Sequence, residues 1–111
     1  MELSAKEVKS VQVVAVSGRL TIGPTSEKLN NELDRLALRG GKIVLNLDGV
    51  QQIDSSGMAA VVRNSISLTR DGGWLRLVCG PGRVRDALTV TRLVEAIPTF
   101  ETEAAALADL S

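Results

Sequence analysis

The sequence predicts an α/β fold: a single domain over residues 1–111, with a mixed, mostly parallel sheet of four to five strands and about four helices. Three observations predict it. Short aliphatic runs rich in β-branched residues alternate with longer segments of helical period. Glycine-containing breaks separate them, at Ser17-Gly18, Gly40-Gly41, Asp48-Gly49, Asp71-Gly72-Gly73 and Gly80-Pro81-Gly82. The length of 111 residues, 44% of them hydrophobic, suits one aliphatic core and leaves little room for a second.

Taken in order, Glu2 to Val8 reads as an antiparallel edge strand joined by a turn near Lys9-Ser10 to a strand from Val11 to Val16, which Ser17-Gly18 ends. Gly23-Pro24 starts a helix, with Glu27 favourable in its first turn, and Leu29, Leu33, Leu36 and Ala37 recur at helical spacing up to Gly40-Gly41. Ile43 to Leu47 is a second central strand, and a helix between two apolar strands implies a parallel crossover. Val50 and Ile53 lead to Asp54-Ser55-Ser56-Gly57, from which a helix runs over about Ser56 to Arg70. Its expected core stripe is Ala59, Val62, Ile66 and Thr69, beside a second, partly apolar stripe of Met58, Val61, Ser65 and Leu68. Trp74 to Cys79 is the third parallel strand, and a short helix carries Val84, Ala87 and Leu88. Pro98 to Phe100 fits an edge strand, and Thr102 can cap an Ala-rich helix through Leu110.

Composition excludes several function classes. Thirteen basic residues balance thirteen acidic ones, and Trp74 and Phe100 are the only aromatics, so neither an electrostatic nor a stacking basis for nucleic-acid binding exists. There is no histidine, which removes Ser-His and Cys-His catalytic pairs and His-ligated metals; no other acid–base constellation replaces them, so an enzyme is not expected. Cys79 is the sole cysteine and reads as a small buried hydrophobe, so neither a disulfide nor a cysteine metal cage is expected. No signal peptide and no run of membrane-spanning length is visible, giving the expectations of a cytoplasmic protein, no membrane insertion, no cofactor and a monomer when free.

Asp54-Ser55-Ser56-Gly57 lies where a parallel strand's loop meets a helix start, the place where open α/β sheets put functional groups. Together with Gly18-Arg19-Leu20, Ile43 to Leu47, Val50, Ile53, Met58, Gly72-Gly73, Leu75 to Val78 and the closing segment Phe100 to Leu110, it makes nearly the whole chain resemble the STAS domain of bacterial anti-sigma factor antagonists. The resemblance implies a phosphoprotein of partner switching in transcription regulation. The unphosphorylated form would bind an anti-sigma factor that is also a serine kinase and free a sigma factor; phosphorylation at Ser55 would block that binding, and a serine phosphatase would reset it. Asp54, Ser56 and Gly57 complete the phosphosite motif, and Met58 and Val61, one turn on, are expected at the partner interface. The alternative is a non-switching STAS scaffold subunit of a transport ATPase or a stress-signalling complex. Many members of that family carry an acidic residue after Gly-x-Leu, where this chain has Thr21 in Gly18-Arg19-Leu20-Thr21, a departure that bears on partner identity.

Each motif residue also has a plain structural role open to it. Asp54 can fix the loop by accepting backbone N–H bonds, Ser55 or Ser56 can cap the helix, and Gly57 can ease helix entry or admit a partner's backbone. Gly80-Pro81-Gly82-Arg83 reads as a turn rather than a phosphate loop, and Arg83, Arg85 and Arg92 as solvated residues rather than a basic patch. Asp48 and Asp54 are too isolated for a metal site.

Overall fold

The computed structural model describes residues 2–21, 23–38 and 41–110, without the side chains of residues 24–26. Gly40, expected to end the first helix with Gly41, lies outside the described residues. Strands β1 (Glu2–Val8), β2 (Val11–Leu20), β3 (Lys42–Ile53), β4 (Trp74–Val78) and β5 (Thr99–Phe100) form one sheet in the order β1-β2-β3-β4-β5. Only β1 is antiparallel to its neighbour. Lys9 and Ser10, with φ of 53° and 68°, make the two-residue turn whose left-handed backbone matches the twist of a hairpin.

Strand alternation sorts the aliphatic residues between two clusters. Val14, Val16 and Leu20 of β2, Ile43, Leu45 and Leu47 of β3, and Leu75 and Leu77 of β4 face the larger one. Covering it are α1 (Pro24–Ala37) through Leu29, Leu33 and Leu36, α2 (Ser55–Arg70), α3 (Arg83–Val90) through Val84 and Leu88, and the short α4 (Leu93–Ala96) through Leu93. The opposite sheet face gathers Val11, Val13, Val44 and Val78 under one helix, α5 (Glu103–Leu107), which contributes Ala106.

The expected topology holds, with three corrections. β2 does not stop at Ser17-Gly18: Gly18 takes φ of 91° and the strand passes through two register shifts to Leu20. Between Ala15 and Leu20 β2 advances five residues while β3 advances seven, from Asn46 to Ile53, so β3 carries the bulges that bend both strand ends together. The inward stripe of α2 is Gly57, Ala60, Val61, Asn64 and Leu68, not Ala59, Val62, Ile66 and Thr69; Ile66 is 61% exposed. The C-terminal helix is shorter than its alanine content suggested, ending at Leu107, although Thr102 does cap it by accepting the Ala105 N–H at 3.1 Å.

Arg76 fastens α5 to the sheet. Its guanidinium lies 4.2 Å from the Trp74 ring centroid and 5.9 Å from that of Phe100. It also donates to the Ala106 carbonyl at 2.8 Å and, through both terminal nitrogens, to the Asp109 carboxylate. Glu103 adds a second tie by accepting from Asn46 at 2.7 Å and pairing with Lys6 at 3.2 Å. The Asn46 hydrogen bond, then Lys6, hold the Glu103 carboxyl below its usual range, and Arg76 does the same for Asp109. Groups whose folded-state pKa is lowered stabilise fully above the usual carboxylate range and lose that contribution as pH falls through the lowered values. Acid is therefore expected to free α5 first, seen as faster amide exchange at residues 103–107 than in β3 below about pH 4. Arg76→Ala should produce the same pattern at neutral pH, with a global loss of about 2 kcal/mol in denaturant unfolding. Equal protection of α5 and β3 in both experiments would contradict this role.

Candidate functional site

The carboxyl end of β3 delivers the motif to the rim of the sheet. Because the bulges of β3 bring its end beside that of β2, the Asp54 N–H donates to the Leu20 carbonyl at 3.3 Å. Asp54 is extended (φ −113°, ψ −175°) and serves as N-cap of α2, its Oδ1 accepting the Gly57 N–H at 2.9 Å. The first helical bond follows, from the Met58 N–H to the Asp54 carbonyl at 3.0 Å. Capping thus falls to Asp54 and to neither serine. Ser55, the first residue of the helix, is exposed, and Ser56 is half-buried.

Gly57 is buried for a reason internal to the chain. A Cβ there would collide with the Leu20 carbonyl oxygen and lie 3.0 Å from Ile53 Cγ1. The glycine lets α2 sit directly on the ends of β2 and β3, which replaces the two roles expected for it, a partner's approach or easier helix entry.

Beside Ser55 opens an apolar groove of about 370 Å³, between the first turns of α2 and the α3–α4 turn, lined by Ser55, Met58, Ala59, Val62, Thr91, Arg92, Leu93 and Ala96. The Thr91 hydroxyl lies 3.6 Å from the Met58 sulfur and ties the two walls together. Met58, expected at a partner interface, is half-buried on this groove. Val61 is not there: it is fully buried in the core, because the inward stripe of α2 is rotated toward Gly57 and Asn64. Val62 takes its place at the groove. Thr91, Leu93 and Ala96 escaped the sequence reading, since α4 has four residues and no capping side chain, and Arg92, expected only as a solvated residue, lines the groove as well.

The other polar candidates separate. Gly80 donates its N–H to Asp48 Oδ1 at 2.7 Å, so a carboxylate occupies the turn that a phosphate would need. Arg85 donates to the Cys79 carbonyl at 2.8 Å, whereas Arg92 lies past the other end of α3, so the three arginines form no common patch. Cys79 is buried, and desolvation, followed by the charge of Asp48, pushes its thiol up, away from the reactive thiolate. Among the described residues no group of three acidic, Cys or His side chains could hold a metal ion, and no helix is long and apolar enough to cross a membrane. Arg19 is exposed at the same rim, in register with Gln52, two positions before the motif.

Comparison with known proteins agrees with this architecture. The family model described as STAS domain matches residues 2–106. No curated protein sequence matches the chain. Among solved structures, a Thermotoga maritima protein described provisionally as an anti-sigma factor antagonist superposes with a TM-score of 0.88 at 24% identity, over 97% of this chain and 93% of that one. An anti-sigma factor antagonist of Mycobacterium paratuberculosis gives 0.84 at 21% identity, over 98% and 92%. The Bacillus cell fate determinant SpoIIAA in its phosphorylated form gives 0.73 at 18% identity, over 99% and 100%. SpoIIAA in its unphosphorylated form gives 0.71 at 18% identity, over 97% and 96%. These likenesses establish the fold.

Proposed function

The chain belongs to the STAS domain family, and on that premise we propose that it is an anti-sigma factor antagonist switched by phosphorylation of Ser55. Unphosphorylated, it binds an anti-sigma factor that is also a serine kinase, and the sigma factor is released. The kinase transfers the γ-phosphoryl group of ATP to Ser55 Oγ: the Oγ–P bond forms, ADP leaves with the bridging oxygen, and the hydroxyl proton passes to a base of the kinase. A serine phosphatase hydrolyses the ester with water and returns hydroxyl and inorganic phosphate. The protein itself performs no chemistry.

One observation carries this reading. Ser55 is exposed at the first position of α2, relieved of capping by Asp54, on the edge of an apolar groove. A hydroxyl there is accessible to a docked enzyme, and the groove beside it, with Met58 on its wall, offers that enzyme apolar surface. Phosphate adds about −1.5 to −2 charges at the positive end of the helix dipole, which the free domain tolerates. Against an interface shaped for a neutral hydroxyl, that dianion must be desolvated next to the Asp54 carboxylate. A penalty of about 3 kcal/mol weakens binding roughly a hundredfold. The similar likeness to SpoIIAA in both of its forms supports a switch that acts through binding and not refolding.

Baits of the wild type, Ser55→Ala and Ser55→Asp test it in one pull-down from native lysate. The first two should capture the same ATP-dependent kinase, and Ser55→Asp should lose it by about a hundredfold. Equal capture by all three, or no kinase on any, would overturn the proposal.

A further inference from the structure

Arg92 joins α3 to α4 with φ of 60° and ψ of 19°. This left-handed conformation suits glycine or asparagine and costs a residue with a longer side chain, so an arginine here invites a reason in its side chain. Its guanidinium has a loose partner: Glu95 Oε2 lies 3.9 Å away, with the two side chains 85% and 70% exposed. Such a pair adds little and is readily exchanged. Arg92 also lines the groove that Ser55 edges, and among the described residues lining it Arg92 is the one charged group. The contact of Thr91 with Met58 fixes the turn carrying Arg92 against the first turn of α2.

We propose that Arg92 is the counter-ion of phosphorylated Ser55, its guanidinium leaving Glu95 to pair with the phosphate across the groove. The proposal rests on the assignment of Ser55 as the phosphoacceptor. A phosphoserine carries three strong acceptor oxygens, and a guanidinium meets two of them with parallel N–H donors, which an ammonium cannot match. Asp54, one residue before the phosphate, and Glu95, beside Arg92, are the negative groups that oppose the pairing. Arg19, at the rim end of β2, and Arg83, which lines a pocket with Gln52 and Ile53, are further cations on the motif's side of the molecule. Arg92 is then a positioning residue for the phosphorylated state.

The test installs phosphoserine at position 55 during translation, so no kinase is needed. The second ionisation of the phosphate is then followed by phosphorus NMR. In the wild-type background it should lie about half a unit lower than with Arg92→Asn, and Arg92→Lys should fall between. Asparagine suits the left-handed backbone, so the variant keeps the fold, which an unchanged melting temperature verifies. Phosphorylation should also shift the Arg92 Nε–H resonance of the wild type, and a resonance unmoved between the phosphorylated and unmodified proteins would count against the pairing. If Arg92→Asn leaves the phosphate ionisation within about 0.1 unit of wild type, the pairing is wrong. Should the phosphate pair with Arg92 while Ser55→Asp still captures the kinase, the switch fails and the pairing stands. The opposite outcome rejects the pairing and keeps the switch.

Discussion

Gly57→Ala is expected to destabilise the domain by about 4 kcal/mol, one of the largest effects available to a single methyl group in this chain. The added carbon has no direction in which to yield. It meets the carbonyl oxygen of Leu20, which is backbone and already accepts the Asp54 N–H, and the Ile53 side chain at 3.0 Å. Relief requires α2 to move off the sheet, and the helix is bound to the core by Ala60, Val61 and Leu68. A domain of this size should lose about 15 °C or more in melting temperature. Denaturant midpoints compared with Gly72→Ala provide the control for helix position: Gly72 has open space around it but φ of 90°, so its variant reports backbone strain without collision. A Gly57→Ala variant within about 1 kcal/mol of wild type would mean that the end of α2 is not seated as described.

The second large effect is expected from Asn64→Asp, a change that alters almost no volume. Asn64 is 2% exposed, and its amide nitrogen donates to Asn30 Oδ1 at 2.7 Å and to the Ala60 carbonyl at 2.7 Å, linking α2 to α1. A carboxylate in its place has no proton to give, so it faces acceptors, and rotation of the Asn30 amide can repair only one contact. Leaving a buried charge so badly matched should cost about 3 kcal/mol at neutral pH. The sign of its pH dependence follows. Burial raises the folded-state pKa of the new carboxyl, so the penalty is absent in acid and grows as pH rises above the unfolded value of about 3.9. Unfolding free energies of variant and wild type should converge toward pH 4 and diverge toward pH 7. A constant difference across that range would show that the site is hydrated.

The strands were legible because aliphatic alternation and glycine breaks are local properties. Val14 and Val16 against Val11 and Val13, or Leu75 and Leu77 against Val78, sort themselves by parity alone. The motif was legible for the same reason, since a helix start after an apolar strand is written in consecutive residues. The orientation of α2 was not. Two of its inward positions, Gly57 and Asn64, score as non-apolar, one chosen for closeness to a carbonyl and the other for a hydrogen bond to α1. Outward, Ile66 added a false apolar mark. A periodicity weighs side-chain polarity and cannot weigh what a neighbouring element presents. The groove beside Ser55 and the packing of Arg76 between Trp74 and Phe100 depend on residues brought together from distant segments, so no window of sequence contains them.

The strand order β1-β2-β3-β4-β5 never reverses. Open α/β sheets usually hold their ligands in the crevice that opens where successive connections turn to opposite sides, and a sequential order creates no such crevice. Here α1, α2 and α3 all lie over the same cluster, closing that side as a continuous layer. Under the proposed function recognition falls to the outer rim, where Arg19, Gln52, Ser55 and Arg92 are exposed. Those positions can be exchanged without disturbing Leu45 or Leu77 beneath them, so descendants of one ancestral domain can acquire new partners while keeping a common interior. The scaffold separates the inheritance of shape from the divergence of specificity.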